Sequence, residues 1–251
     1  MAFVLVQKKP IIVRHVFAED LEREFDLIKR AISDHSFVSV DTEFPGTIFK
    51  PDKQTIREGN TDINYHYMKS NDFDIDRDQC DSDSIELLKR QGIDFAKNKE
   101  KGIDSSEFAR LLLNSGFVFD PFVPRVKANR IFWVAFHGAY DFGFLLKILA
   151  QSLLPFNFQS FMCQLAYYFG YNVFDLKHTF KFFGLHGGLE KVAQTLKVTR
   201  VAGSSHQAGS DSLLILDCFM KFWNAKVFEC HPYQRERMLP PLALYGLVQA
   251  V

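Results

Sequence analysis

The pattern that most restricts how this chain folds is the recurrence of short apolar runs, each followed by an amphipathic helical stripe. Leu21, Phe25, Ile28 and Ile32 recur at i, i+4, i+7 and i+11, which is one face of a helix. Residues 37–44 (FVSVDTEF) then read as a strand closed by Pro45-Gly46. Residues 131–136 form a second short apolar run, and 139–152 the helix after it. Leu189, Val192, Ala193 and Leu196 repeat the helical spacing behind Gly187-Gly188, as do Ile215, Phe219 and Phe222 behind Gly209-Ser210. Helices are also predicted over 84–90 and 105–114, whereas the polar residues 50–64 lack periodicity and are expected to be loop. Strands alternating with helices predict an α/β or α+β architecture. With no internal repeat or low-complexity tract, residues 1–251 are expected to form a single domain.

Charge narrows the function. Lys and Arg total 30 and Asp and Glu total 30, leaving a formal net charge of zero. A polybasic nucleic-acid coat is thereby excluded, because long-range steering needs a surplus of one sign. A phosphate-bearing substrate must instead be held locally, by a side-chain cluster or a metal. Hydrophobic residues make up 47% and Phe alone occurs 27 times, ample for a packed core and far from the composition of disordered chains. Four cysteines without CxxC spacing suggest neither a zinc knuckle nor a disulfide framework, and point to a reducing, intracellular compartment. The longest apolar run, 142–156, is broken by Lys147 and Gln151, short of the ~18 residues of a membrane helix. Lys8 and Lys9 follow the apolar start, the reverse of a signal peptide, so a soluble chain is expected.

Asp41 and Glu43 are two positions apart, so on a strand both side chains leave one face, with Val38, Val40, Thr42 and Phe44 on the other. Adjacent carboxylates beside an apolar strand repel and lose hydration, and a hard divalent cation relieves both costs. A strand end at which both acids simply reach water is the plainer alternative. Asp141 opens the helix after the second strand, and Asp211 lies in the first turn of the helix after HQAGSDSLL. Either is equally well explained as a helix-dipole partner. His206 lies five residues ahead of Asp211, where an imidazole can accept a proton from an activated water. Together, in this order, the four acids and one base suit two-metal hydrolysis of a phosphodiester. His178 and His186 read as ordinary surface or loop residues, and His137 as lining the site or packing in the core. Lys69 and Asn71 are placed in solvated loop with phosphate contact as the alternative, and most Phe are assigned to the core.

Several segments carry a resemblance. DTEFPG at 41–46, FHGAYDFGFLLKIL at 136–149, GGLEKVAQTL at 187–196 and HQAGSDSLL at 206–214 closely resemble the carbon-catabolite-repressor associated factor (Caf-one/Pop-two) poly(A) ribonucleases. DSIELLKRQGIDF at 83–95 and LYGL at 244–247 fit the same family. The resemblance implies a ribonuclease-H-like DEDD exonuclease fold, α/β, with a central mixed sheet flanked by helices. It also implies 3′-to-5′ shortening of mRNA poly(A) tails with release of 5′-AMP, as a subunit of the carbon-catabolite-repressor–Not complex. Poly(A) RNA and the Not scaffold are then the partners, and nucleus and cytoplasm the compartments. The motif acids fall on Asp41, Glu43, Asp141 and Asp211, which would hold two divalent ions, Mg²⁺ or Mn²⁺; His206 falls on the proton-accepting histidine.

Two departures from the family accompany the match. YHYMKSN at 65–71 would open a helix followed by two strands, but Asn71 runs straight into DFDIDRD, so that helix and strand pair are expected to be missing. A Pro-containing basic stretch at 120–132 is inserted before the second strand. Both read as altered splice boundaries or an imperfect gene model. The sheet is therefore expected to be incomplete, with residues 37–44 at an exposed edge and prone to self-association. A catalytically weak scaffold subunit of the same complex is the alternative function.

Overall fold

A computed structural model describes residues 11–44, 61–70, 82–119, 131–181, 183–224 and 242–247. At its centre is a run in which successive side chains leave opposite faces. Trp133 and Ala135 pack into one apolar cluster and Val134 into another, as the two-residue period of a strand requires. This strand, β2 (Phe132–Ala135), lies between β1 (Phe37–Ser39) and β3 (Val173–Asp175) in the order β1-β2-β3. Both pairings are parallel, with Phe37 opposite Phe132 and Trp133 opposite Val173. The sequence led us to expect a mixed sheet; among the described residues all three strands are parallel. Parallel neighbours need crossovers, and helices supply them.

In chain order the helices are α1 (Leu21–Asp34), α2 (Thr61–Ser70), α3 (Ser82–Arg90), α4 (Phe95–Lys101) and α5 (Ser105–Leu113) before β2. Next come α6 (Ala139–Ala150) and α7 (Phe158–Phe169), which cross over to β3. The chain then runs through α8 (Leu176–Lys181), α9 (Leu189–Thr195) and α10 (Ala208–Asn224). Asp94, Asp104 and Asn157 accept backbone N–H bonds as N-caps, which sets where α4, α5 and α7 start. One face of the sheet carries α1, α5, α6 and α7, with Phe142, Leu146, Phe161 and Leu165 fully buried. The other carries α9 and α10, through Val192, Ile215 and Phe219. Truncating a side chain such as Leu146 to alanine would cost about 2–5 kcal/mol in a core of this kind.

Three local expectations are corrected. The strand predicted over 37–44 ends at Ser39, and one further ladder bond, from Val40 N–H to the Val134 carbonyl at 2.9 Å, carries the pairing just past it. Beyond that bond the chain follows α6, where Phe44 packs on Tyr140 and Phe144 at ring separations of 5.3 and 5.5 Å. The stretch 50–64, expected to be loop, becomes helical at Thr61, so YHYMKS belongs to α2 and Lys69 sits over the Phe156 ring in its last turn. Tyr65 and Met68 explain this, since both are buried against α6 and α7. His178, read as a surface residue, is 4% exposed because α8 follows β3 directly into the interior. Asn71, the DFDIDRD segment, most of the basic insertion and Cys80 and Cys230 lie outside the described residues. No described strand intervenes between β1 and β2, and β1 stands at the edge of the described sheet. No described helix is long and apolar enough to cross a membrane.

Candidate active site

The five residues singled out by the sequence come from three places at the same end of the sheet. Asp41 and Glu43 follow the last ladder bond of β1. Asp141 lies in the first turn of α6, behind β2, and Asp211 in the first turn of α10. Thr42 joins the first two: its backbone N–H and its hydroxyl both donate to Asp141 Oδ1 at 2.7 Å. Thr42 was expected to face away from Asp41 and Glu43 for packing. Because regular pairing has ended, strict alternation no longer holds, and its polar groups turn to Asp141.

Glu43, His206 and Asp211 place ligand atoms within 4.8 Å of one another. Asp41 and Asp141 are not part of that trio but share its field. Burial pushes Asp41 up to about 8, and the charges of Asp141, Glu43 and Asp211 add to it while Arg200 opposes. Burial, then Asp211 and Asp141, push Glu43 up to about 7. Asp141 is pushed up to about 6 by burial, with the two Thr42 bonds holding it down. Four acids thus converge on ground that disfavours four negative charges.

The loop before α10 is fixed by its own side chains. His206 adopts φ 59°, uncommon for a residue with a Cβ, and its N–H donates to Asp211 Oδ2 at 2.9 Å. Gly203 has φ +67°, and a Cβ there would lie 2.8 Å from both Gln207 Oε1 and Ser210 Cβ, so glycine is required. Gln207 accepts from Ser204 N–H and donates to the Gln91 carbonyl at 2.8 Å, tying the loop to the end of α3. The His206 side chain is left exposed beside Glu43 and Asp211.

Two residues important to this geometry carry little or no sequence signal. Arg200 donates to Asp211 Oδ1 and to Ser210 Oγ, each at 2.5 Å, and to Glu190 of α9. It stands in no motif. Asp175, at the end of β3 and 1% exposed, accepts N–H bonds from His137, Gly138, Lys177 and Tyr245 at 2.9–3.0 Å. An Asp closing an apolar strand ahead of a helix is a weak capping signal, and nothing in it foretells four donors. Asp175 pins the β2–α6 turn that delivers Asp141. His137, in that turn at φ 67°, is packed between Tyr140 and Tyr245 with its Nδ1 3.4 Å from Lys177 Nζ, so it supports the site rather than facing it. Burial and the Lys177 charge push His137 down to about 4.

The chain has close relatives. It is 39% identical over 249 residues to an Arabidopsis thaliana protein named probable CCR4-associated factor 1 homolog 7, covering 83% of this chain and 86% of that one. It is 34% identical over 239 residues to the Schizosaccharomyces pombe poly(A) ribonuclease pop2, covering 83% of this chain and 68% of the relative. Among solved structures, the Mg²⁺- and Mn²⁺-bound form of S. pombe Pop2p superposes with a TM-score of 0.76 at 31% identity, over 92% of this chain and 98% of that one. The yeast CAF1 co-crystallised with the NOT1 MIF4G domain gives 0.69 at 25% identity, over 93% and 96%. No protein-family model matches. With the identity spread over more than four-fifths of its length and the same exonuclease fold, the chain belongs to the CCR4-associated factor 1/Pop2 family.

Proposed function

We propose that this chain is a metal-dependent 3′-to-5′ exoribonuclease that shortens poly(A) RNA and releases 5′-AMP, working in mRNA decay on a NOT scaffold in nucleus and cytoplasm. The observation that carries the reading is the convergence of Asp41, Glu43, Asp141 and Asp211: burial pushes Asp41, Glu43 and Asp141 well above the usual carboxylate range, and repulsion from the other acids adds to the rise in Asp41 and Glu43. Such a cluster fits divalent cations: the donors are hard oxygens, and positive charge is what the ground lacks. Asp41, Glu43, Asp141 and Asp211 would hold two ions, which when bound lower the pKa of water and offset charge on the departing 3′-oxygen.

The remaining work falls to this chain's side chains. Thr42 fixes the rotamer of Asp141 through two bonds to one of its oxygens. Arg200 and the His206 N–H hold the two oxygens of Asp211 from opposite partners, so its orientation does not depend on the ligand. The His206 imidazole, exposed beside Glu43 and Asp211, accepts the proton that the attacking water gives up. The name poly(A) ribonuclease on a 34%-identical relative supports the substrate, and the NOT1–CAF1 complex of a structural neighbour supports the partner.

The test is shortening of a 3′-oligo(A) RNA in Mg²⁺ or Mn²⁺, with Asp41→Ala as control. A ladder from the wild-type chain and none from the variant is expected. Two silent proteins would favour the alternative of a catalytically weak scaffold, a reading supported by the position of β1 at the edge of the described sheet.

A further inference from the structure

Beside Glu43 opens a cavity of about 770 Å³, within the range of about 300–1,000 Å³ usual for ligand sites. Its lining includes Arg14 and Phe17 from the segment before α1, Gln91 and Lys97 from the end of α3 and the start of α4, and Gln207 from the start of α10. The Lys97 ammonium lies 4.2 Å from the centre of the Phe17 ring, an aromatic and cationic step in one place. Among the described residues Lys97 has no carboxylate within ion-pair distance, and Arg14 meets only Glu24 through Nη1 at 3.3 Å with 47% of its side chain exposed. The Gln207–Gln91 bond joins two sides of the lining, so the shape is anchored to the loop that carries His206.

We propose that this cavity is the track that holds single-stranded RNA against the carboxylate cluster, a proposal that rests on the nuclease reading above. Lys97 and Arg14 take phosphates, Phe17 offers its ring to a base, and the amides of Gln91 and Gln207 line the path. Single strands are gripped in this manner, by cations along the backbone and aromatic faces under the bases. The chain as a whole has no net charge, so cations at this spot are a local feature and not part of a general basic surface. Phosphate approaching the acids also needs counter-charge nearby, and Arg14 and Lys97 supply it at the cavity that Glu43 borders.

The experiment is fluorescence anisotropy of labelled oligo(A) on the Asp41→Asn chain, which prevents cleavage, over a range of salt with Mg²⁺ present. Lys97→Gln is expected to weaken binding about 3–10-fold and to flatten the slope of log K against log salt by about 0.7, the share of one phosphate on a single strand. Arg14→Gln should act likewise, Lys97→Arg should retain the parent slope, and Phe17→Leu should weaken binding without changing the slope. With Asp41 intact, the rise in Tm on adding Mn²⁺ should stay the same in every Lys97 variant, which shows that these substitutions spare the fold and the acids. Unchanged affinity and slope in the Lys97→Gln/Arg14→Gln double variant, or no oligo(A) binding by the parent, would overturn the track. Loss of binding in these variants, when the chain with Asp41 intact still fails to shorten RNA, would sustain the track and remove the nuclease reading instead.

Discussion

Arg200 is a cation set against this acidic cluster, paired with Asp211. Its guanidinium is 13% exposed and spans Asp211, Ser210 and Glu190, joining α9 to the first turn of α10. Its charge also counts against the rise in Asp41. Hydrogen bonds to a buried carboxylate are worth roughly 1.5–3 kcal/mol net, and in a chain of this size each kcal/mol shifts Tm by about 2–4 °C. Arg200→Ala is accordingly expected to lower the Tm of metal-free protein by about 4–8 °C in a thermal melt. Arg200→Lys should restore only part of that, since one ammonium cannot reproduce a planar fork reaching three partners. Saturating Mn²⁺ should narrow the gap between variant and wild type, because cations among the acids replace the charge that was removed. An equal gap with and without Mn²⁺ would mean that Arg200 is only a strut between helices. First-turn acids such as Asp211 are ordinarily expendable to within about 1 kcal/mol, but this one also holds the His206 N–H, so its loss should be felt in folding as well.

Among the elements, β1 is half-buried but stands at an edge of the described sheet. The Ser36 carbonyl and the Val40 N–H both bond to β2, so by strand alternation the N–H groups of Phe37 and Ser39 point away from it. Among the described residues no strand pairs with that side, and unpaired edges template association. Wild-type chain is expected to self-associate with rising concentration in sedimentation velocity. Ser39→Pro should suppress this while leaving Tm nearly unchanged, because it deletes an outward N–H and no ladder bond to β2. Self-association of equal strength in that variant would exonerate the edge. Elements were legible in the sequence wherever periodicity was long: the stripe of Leu21, Phe25, Ile28 and Ile32 became α1, and Ile215, Phe219 and Phe222 became the core face of α10. Short pieces misled. Three paired residues cannot be told from eight when the apolar run continues into DTEF, and α2 hides in polar sequence because Tyr65 and Met68 anchor it only through partners far along the chain. The site was legible as a set of acids and a histidine, since those residue types announce their chemistry. Its supports, Arg200, Thr42 and Asp175, were not, because their roles exist only once α9, α6 and β3 come together.

For the molecule as a whole, the crowded acids make stability depend on pH in a direction opposite to ordinary acid denaturation. Asp41 is moved from 3.8 to about 8 and Glu43 from 4.5 to about 7. The folded chain therefore keeps protons that the unfolded chain has released, and metal-free stability falls as pH rises from about 4 to about 8. His137, moved from 6.5 to about 4, works the other way: the unfolded imidazole takes a proton that the folded one refuses, so stability grows as pH rises through that interval and gains nothing above it. Asp141, at about 6, is also spent by then. From pH 6.5 to 8 the balance is left chiefly to Asp41, with a smaller share from the more solvated Glu43. The expected loss is about 1–2 kcal/mol, a drop in Tm of a few degrees in metal-free protein. A divalent cation competes for the same oxygens as those protons, so the Tm increment produced by a fixed Mn²⁺ concentration should be larger at pH 8 than at pH 6.5. Asp41→Asn should flatten both the metal-free pH slope and the pH dependence of the Mn²⁺ increment. If Mn²⁺ raises Tm equally at the two pH values in the wild-type chain, the acids are not sharing their protons' place with a metal, and the convergence of Asp41, Glu43, Asp141 and Asp211 has some purpose other than holding one.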